Sequence, residues 1–230
     1  MAGTQPDDLS DHGRLMSALA EQLKLPLVQI AHGLESGAYK PQALADNARL
    51  AIKLIDSYLL TNTHSRQESL LLEPVPLSAV LQDVAHQLYG HAKRYNCQVE
   101  LNIAGRYQPV MSHKNYLQGA LLALGYSFIE AASNSDTKAT ITLAAHRTKQ
   151  GISGGVFGLE NLRSEFFRKA RQLYGTANQP LTSDSASSSV GMFIADTLLG
   201  QMNTPLHVAR HQNQKGLAAT FIPSTQLKLV

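Results

Sequence analysis

Apolar residues recur at helical spacing from early in the chain. Leu15, Leu19, Leu23, Leu27, Ile30 and Leu34 fall three, four or seven apart and make one stripe along a long helix. Ser10 and Asp11 are N-cap residue types, which places its start near residue 10. Pro26 removes a backbone donor inside it and predicts a kink. After Glu35-Ser36, Gly37 suits a left-handed cap. A second stripe, Leu44, Ala48, Ala51, Ile55, Tyr58 and Leu59, follows Lys40-Pro41, where proline fits a first helical turn, and runs to about His64. The pattern predicts a flexible N-terminus over 1–9 and an antiparallel helical hairpin over 10–65. Two helices alone leave apolar surface uncovered. Two chains joined as a four-helix bundle would cover it, with Leu15, Leu19, Leu23, Leu27, Ile30, Ala48, Ala51, Ile55 and Tyr58 at the dimer contact.

Residues 66–76 read as a linker with a short extended piece at Leu70-Leu71-Leu72, because Pro74 and Pro76 oppose helix in the residues before them. From Leu77 the period turns helical again through Val80, Leu81, Val84 and Leu88. Strands are expected at 98–103 and around Val110, then a helix from Asn115 to about Ala132. A strand follows at 139–145, where Ile141 and Leu143 alternate with threonines, and a short one near 155–158. A helix near 164–174, a Ser/Thr/Asn/Gly-rich loop at 175–187, a helix from Ser189 to about Met202 and two strands at 206–210 and 217–222 complete the pattern. Residues 77–230 thus predict an α/β sandwich, one sheet covered by helices, and the chain as a whole is α+β.

Composition narrows the function classes. The 230 residues are 43% hydrophobic and 16% charged, which fits folded domains rather than disorder. A net charge of +3, without a run of like charges, gives no reason to expect nucleic-acid binding. The N-terminal segment lacks the pattern of a secretory signal, and no run approaches the ~18 apolar residues that a membrane span needs, so a cytoplasmic protein is expected. The single cysteine, Cys97, sits in an alternating apolar run and reads as a buried structural thiol. His86 and His91 lie five apart on a helix, and His207 and His211 four apart on a strand. Neither pair has metal-ligand spacing with a third ligand, so no metal is expected.

Local matches carry a resemblance over residues 15–223. Leu23-Lys24-Leu25-Pro26-Leu27 with Ile30 looks like Leu-Arg-Thr-Pro-Leu-x-x-Ile; Leu72-Glu73-Pro74-Val75-Pro76-Leu77 looks like a domain-entry linker; Val190-Gly191-Met192-Phe193-Ile194-Ala195 looks like Leu-Gly-Leu-Ala-Ile-Val; Gly216–Pro223 looks like Gly-Thr-x-Phe-x-Leu-Pro. In this order they resemble the cytoplasmic core of sensor histidine kinases, a dimerisation and phosphotransfer hairpin followed by an ATP-binding domain.

The departures fall where that family does chemistry. The resemblance puts the phosphoacceptor histidine at Glu21 and its base at Gln22. A glutamate forms no phosphoramidate, and an amide accepts no proton as a base. The metal-holding asparagines fall on Ala123 and Ser127, or on Tyr126 with a one-residue shift. The adenine-reading Asp-x-Gly-x-Gly falls at Phe157 and its neighbours, with no aspartate. Gly154-Gly155 lies on the wrong side of that strand and reads as a bulge or edge. Of the second glycine box only Gly191 remains. Ala123, Ser127, Phe157 and Gly191 would then mark a degenerate site without a cofactor. The resemblance implies a non-catalytic, kinase-shaped dimeric adaptor in two-component signalling. It would bind a response regulator or another signalling protein on the faces around Glu21, Lys24, Leu25, Val28, Arg49, Lys53 and Asp56. One alternative is phosphate relay between regulators through a hairpin histidine, His12 or His32. A residual ATP-binding kinase is a third.

Overall fold

A computed structural model describes residues 7–37, 41–63, 70–132, 138–158 and 183–224. The helix expected at 164–174 and most of the loop at 175–187 lie outside them. Helix α1 spans Asp7–Ser36 and α2 Pro41–Thr63. α1 begins three residues before the predicted start. It ends where expected, with Gly37 at φ 62°. The two helices pack along one another.

Strand β1 (Glu73–Val75) pairs antiparallel with β3 (Val110–Ser112) in a small separate sheet. It lies three residues beyond the extended piece predicted at 70–72, because Val75 is the residue that reaches the core. Helix α3 (Leu77–Arg94) buries the predicted stripe of Leu77, Val80, Leu81, Val84 and Leu88, and closes with His91, Lys93 and Arg94 in its last turn, where cations suit the dipole.

The main sheet has the order β2-β4-β5-β7-β6, with β2 at Cys97–Ile103, β4 at Ala139–Thr148, β5 at Gly151–Phe157, β6 at His207–His211 and β7 at Gln214–Phe221. β2 and β4 run parallel, and the other pairs antiparallel. The alternation is legible in side chains. Ile141, Leu143 and Ala145 of β4, Ile152 and Val156 of β5 and Leu217, Ala219 and Phe221 of β7 enter the main core under the helices. The opposite face carries a small second cluster of Ala144, Phe157 and Ala218, flanked by Ala209. There the rings of Phe157 and His211 lie 5.3 Å apart, and those of His211 and His146 5.5 Å.

Gly154 and Gly155 form neither a bulge nor an edge. They sit in the middle of β5, paired with Ala145 and Ala144 on one side and with Ala219 and Ala218 on the other. A Cβ on Gly154 would stand 2.9 Å from Leu77 Cδ2, and one on Gly155 2.2 Å from the Leu217 carbonyl oxygen. The close approach of α3 and β7 to this strand requires the missing side chains.

Helix α4 (Lys114–Ala132) is buried almost all round from Tyr116 to Ile129. One side faces the sheet, and the others face α2, α3 and α5 (Ser183–Gln201). α5 starts six residues before the predicted Ser189. The serine-rich stretch looked like loop, but residues 183–190 contain no glycine or proline to stop a helix.

Candidate functional site

The degenerate positions are placed by α4, β5 and α5. Ala123 and Ser127 lie one turn apart on α4, each only 1% exposed. Ser127 Oγ has no hydrogen-bond partner among the described residues. Tyr126, the alternative position, is also buried, with His91 edge-on to its ring at 4.9 Å. Phe157 ends β5 fully buried on the sheet's second face, whereas Gly191 is buried in α5. The four residues thus belong to packed interior. α4 meets both α2 and α5 directly, and Gly119 shows how closely: a Cβ there would lie 3.1 Å from Ser57 Oγ of α2 and 3.3 Å from Leu198 Cδ1 of α5.

The helical pair rests on this interior. Leu19 is buried in the main core, with Leu23 and Leu60 packed against it, and Ala51 is buried as well. The chain's own helices therefore cover part of the stripe assigned above to a second chain: α1 and α2 both touch α5, and α2 touches α4. Tyr116 donates its hydroxyl hydrogen to the Leu60 carbonyl at 2.8 Å, and Gln29 Nε2 donates to Tyr95 Oη at 2.7 Å. Other stripe residues stay open. Leu27, Leu34, Ile55 and Leu59 are exposed, and Ile30 and Ala48 are half-buried; Met16 and Ile52, outside the two stripes, are exposed as well. The side chains of Leu15 and Tyr58 lie outside the described residues.

Of the residues expected to bind a partner, Lys24, Arg49 and Asp56 are exposed, and Val28 is 57% exposed. The side chains of Glu21, Gln22 and Leu25 lie outside the described residues, as does that of His12; His32 is exposed. Lys53 is half-buried and donates to Gln87 Oε1 on α3. Burial, then the neighbouring Arg49, lowers its pKa, against Asp56, which raises it. Reading the sequence missed the groups opposite it. His91 is buried near the end of α3 and held at a pKa of about 4 by desolvation and then by Arg94. Arg94 donates to Asn47 Oδ1 on α2. His86 and His91 drew attention only as a metal pair, and nothing local announces partners some 40 residues away. Among the described residues no group of three potential metal ligands occurs.

No known sequence family and no curated relative matches the chain. Solved structures do. ShkA, crystallised full-length in complex with AMPPNP, matches at a TM-score of 0.53 and 16% identity, over 79% of this chain and 38% of that one. The fold is histidine-kinase-like. The chain thus spans well under half the length of ShkA. Acinetobacter baumannii histidine kinase AdeS (TM-score 0.47, 14% identity, 89% of this chain and 98% of that one) and a Burkholderia phymatum histidine kinase (0.46, 14%, 96% and 100%) are further neighbours. The α+β architecture with its mixed sheet is consistent with an ATPase-type histidine-kinase domain. No described helix is long and apolar enough to cross a membrane.

Proposed function

We propose that this chain is a non-catalytic, histidine-kinase-shaped signalling protein that acts as a dimeric adaptor for a two-component partner. One observation carries the reading: Ala123 and Ser127, where the resemblance puts the metal-holding asparagines, are sealed inside the packing of α4. Side chains buried at those two positions offer nothing to a nucleotide-bound metal. The absence of an aspartate near Phe157 and the replacement of the phosphoacceptor pair by Glu21 and Gln22 point the same way. The exposed apolar residues Ile52, Ile55 and Leu59, at helical spacing on α2, support a second chain as the cover. The surface around Lys24, Val28, Arg49 and Asp56 would receive the partner, a response regulator or another signalling protein.

Calorimetric titration with ATP and Mg²⁺ tests this. Each lost charged contact is worth about 1.5–3 kcal/mol, so affinity should be millimolar or weaker, and a Kd below about 100 µM would overturn the reading. Light scattering should give twice 25.0 kDa for the chain, and Ile55→Glu should yield folded monomers. A second reading rests on the exposure of His32 on α1. Mass spectrometry after mixing with a phosphorylated response regulator would show phosphohistidine at His32 if the chain is a relay, and none if it is an adaptor.

A further inference from the structure

The face of the main sheet opposite the helices has a centre of small residues. Gly155 and Gly216 stand there beside Ala144 and Ala218. The Phe157 ring lies on Gly216, where a Cβ would stand 2.7 Å from Phe157 Cδ1. Larger rings close over this ground. His211, the last residue of β6, has its ring centre 5.3 Å from that of Phe157 and 5.5 Å from that of His146 on β4. Two imidazoles from strands that are not neighbours thus meet over β5 and β7.

Neither imidazole is placed to carry charge. His211 is 8% exposed and His146 half-buried; Nε2 of the first and Nδ1 of the second are buried without a hydrogen-bond partner among the described residues. An imidazolium uses both nitrogens as donors, so a proton on either ring would leave a buried donor unmet. No carboxylate compensates. Glu100 of β2 is the one acidic residue in the five strands, and it is exposed and accepts from Gln98 Nε2. The other charged neighbours are cations. Arg147 of β4, Arg210 of β6 and Lys215 of β7 alternate to the other face, His207 of β6 shares this face but is exposed, and β5 has no titratable side chain. Burial, then the neighbouring His146, lowers the His211 pKa.

The strand that holds His211 is weakly anchored. β6 is the shorter of the two edge strands and pairs only with β7, over five residues, whereas β4 is gripped between β2 and β5. Its turn into β7 puts Gln212 at φ 52°, in the left-handed region that residues other than glycine occupy at a cost. When the two rings repel, β6 gives way first.

We propose that His146 and His211 form an acid-sensitive latch: protonation drives the two rings apart and frees the end of β6 and its turn at 212–213 from the sheet, which uncovers the Phe157 ring and one edge of β7. The opened strand takes up a proton more readily than the closed one. Closure is therefore intact above the ordinary histidine value of 6.5 and weakens as the pH falls below it. The main core lies on the other side of the sheet and keeps its contacts, so the response belongs to the β6–β7 amides and not to the global unfolding midpoint.

Hydrogen exchange followed by NMR on the full chain tests this, with rates corrected for their intrinsic pH dependence. Protected amides within 209–216 should lose at least about tenfold in protection between about pH 7.5 and about pH 5, while those of β4 and β5 hold theirs. His211→Phe keeps a ring against Phe157 and cannot take a proton, so that segment should show no pH response. His146→Gln should shrink the response as well. An unchanged response in either variant, an equal loss across β4 and β5, or no loss in the parent would overturn the latch. The parent also gives a reading that needs no variant: the His211 ring should titrate below about 6.5, and a midpoint at or above that value would overturn it too.

Discussion

Around Ala123 and Ser127 the molecule is filled with carbon, whereas between α2 and α3, against the same helix, it holds three permanent cations and two buried polar groups with unused donors. The two regions share α4 as a wall, Tyr126 lying one residue from Ser127. In the first, the Ser127 hydroxyl is buried without a hydrogen-bond partner among the described residues. In the second, space and charge remain although no motif draws attention to them. One stretch of a helix can therefore be enclosed by packing while buried polar groups stay without hydrogen-bond partners against the next turn.

The sharpest way to break the contrast is to put an amide back. Ala123→Asn should not create a metal ligand, because the position is enclosed. It should force an extra polar group into a packed core and cost about 4 kcal/mol, a sum of overpacking and an unmet hydrogen bond. Thermal melting should fall by about 10 °C. A variant that melts like the parent and gains Mg²⁺–ATP affinity would show that the region is open.

The next effect is in the pH dependence. Burial raises the Glu130 carboxyl pKa to about 7, whereas the His91 pKa is lowered to about 4. For His91 the unfolded chain binds the proton first, so its contribution is intact above 6.5 and is lost as the pH falls toward 4. For Glu130 the folded chain binds the proton first, so its contribution is present below 4.5 and is lost as the pH rises through 7. Each is worth about 3 kcal/mol over its span. In the parent the two oppose each other between pH 4.5 and 6.5, and denaturant midpoints should be nearly flat there. Glu130→Gln should expose the His91 slope, with stability falling as the solution is acidified; a flat profile in that variant would contradict the burial of His91.

The smallest effect sharpens the other side. His91→Phe replaces an imidazole with no hydrogen-bond partner by an apolar ring of similar shape, between Tyr95 and Tyr126. Stability at pH 7 should stay or rise by about 1 kcal/mol, read by chemical denaturation. A loss of 2 kcal/mol or more, set against the value of about 1 for a made hydrogen bond, would mean that His91 holds a structural bond.

Much of this was readable in the sequence. The stripe on α3 and the alternation in β4 and β7 are one-sided patterns, and each side has a single destination. α4 was readable as a helix but not in its surroundings, because a segment apolar all round does not say which elements enclose it. Gly154 and Gly155 were misread for a related reason. A glycine pair announces close approach but not the approaching group, which is Leu77 from α3 and the β7 backbone. The cleft between α2 and α3 was least legible: Asn47 and His91 are ordinary residues on their own helices, and only the packing of α2 on α3 turns them into a pair.

The strand order also sets a timetable. β5 is central in the finished sheet, but its partner β7 begins at Gln214, some 57 residues after Phe157. At ~5–20 residues per second of synthesis, β5 waits for roughly 3–11 seconds as an edge strand, apolar on one face and open to any extended chain nearby. The pair Gly154-Gly155 weakens the strand at its midpoint, where a side chain would strengthen chance pairing. The residues that let β7 and α3 close in at the end thus also keep the newborn strand from bonding to the wrong neighbour.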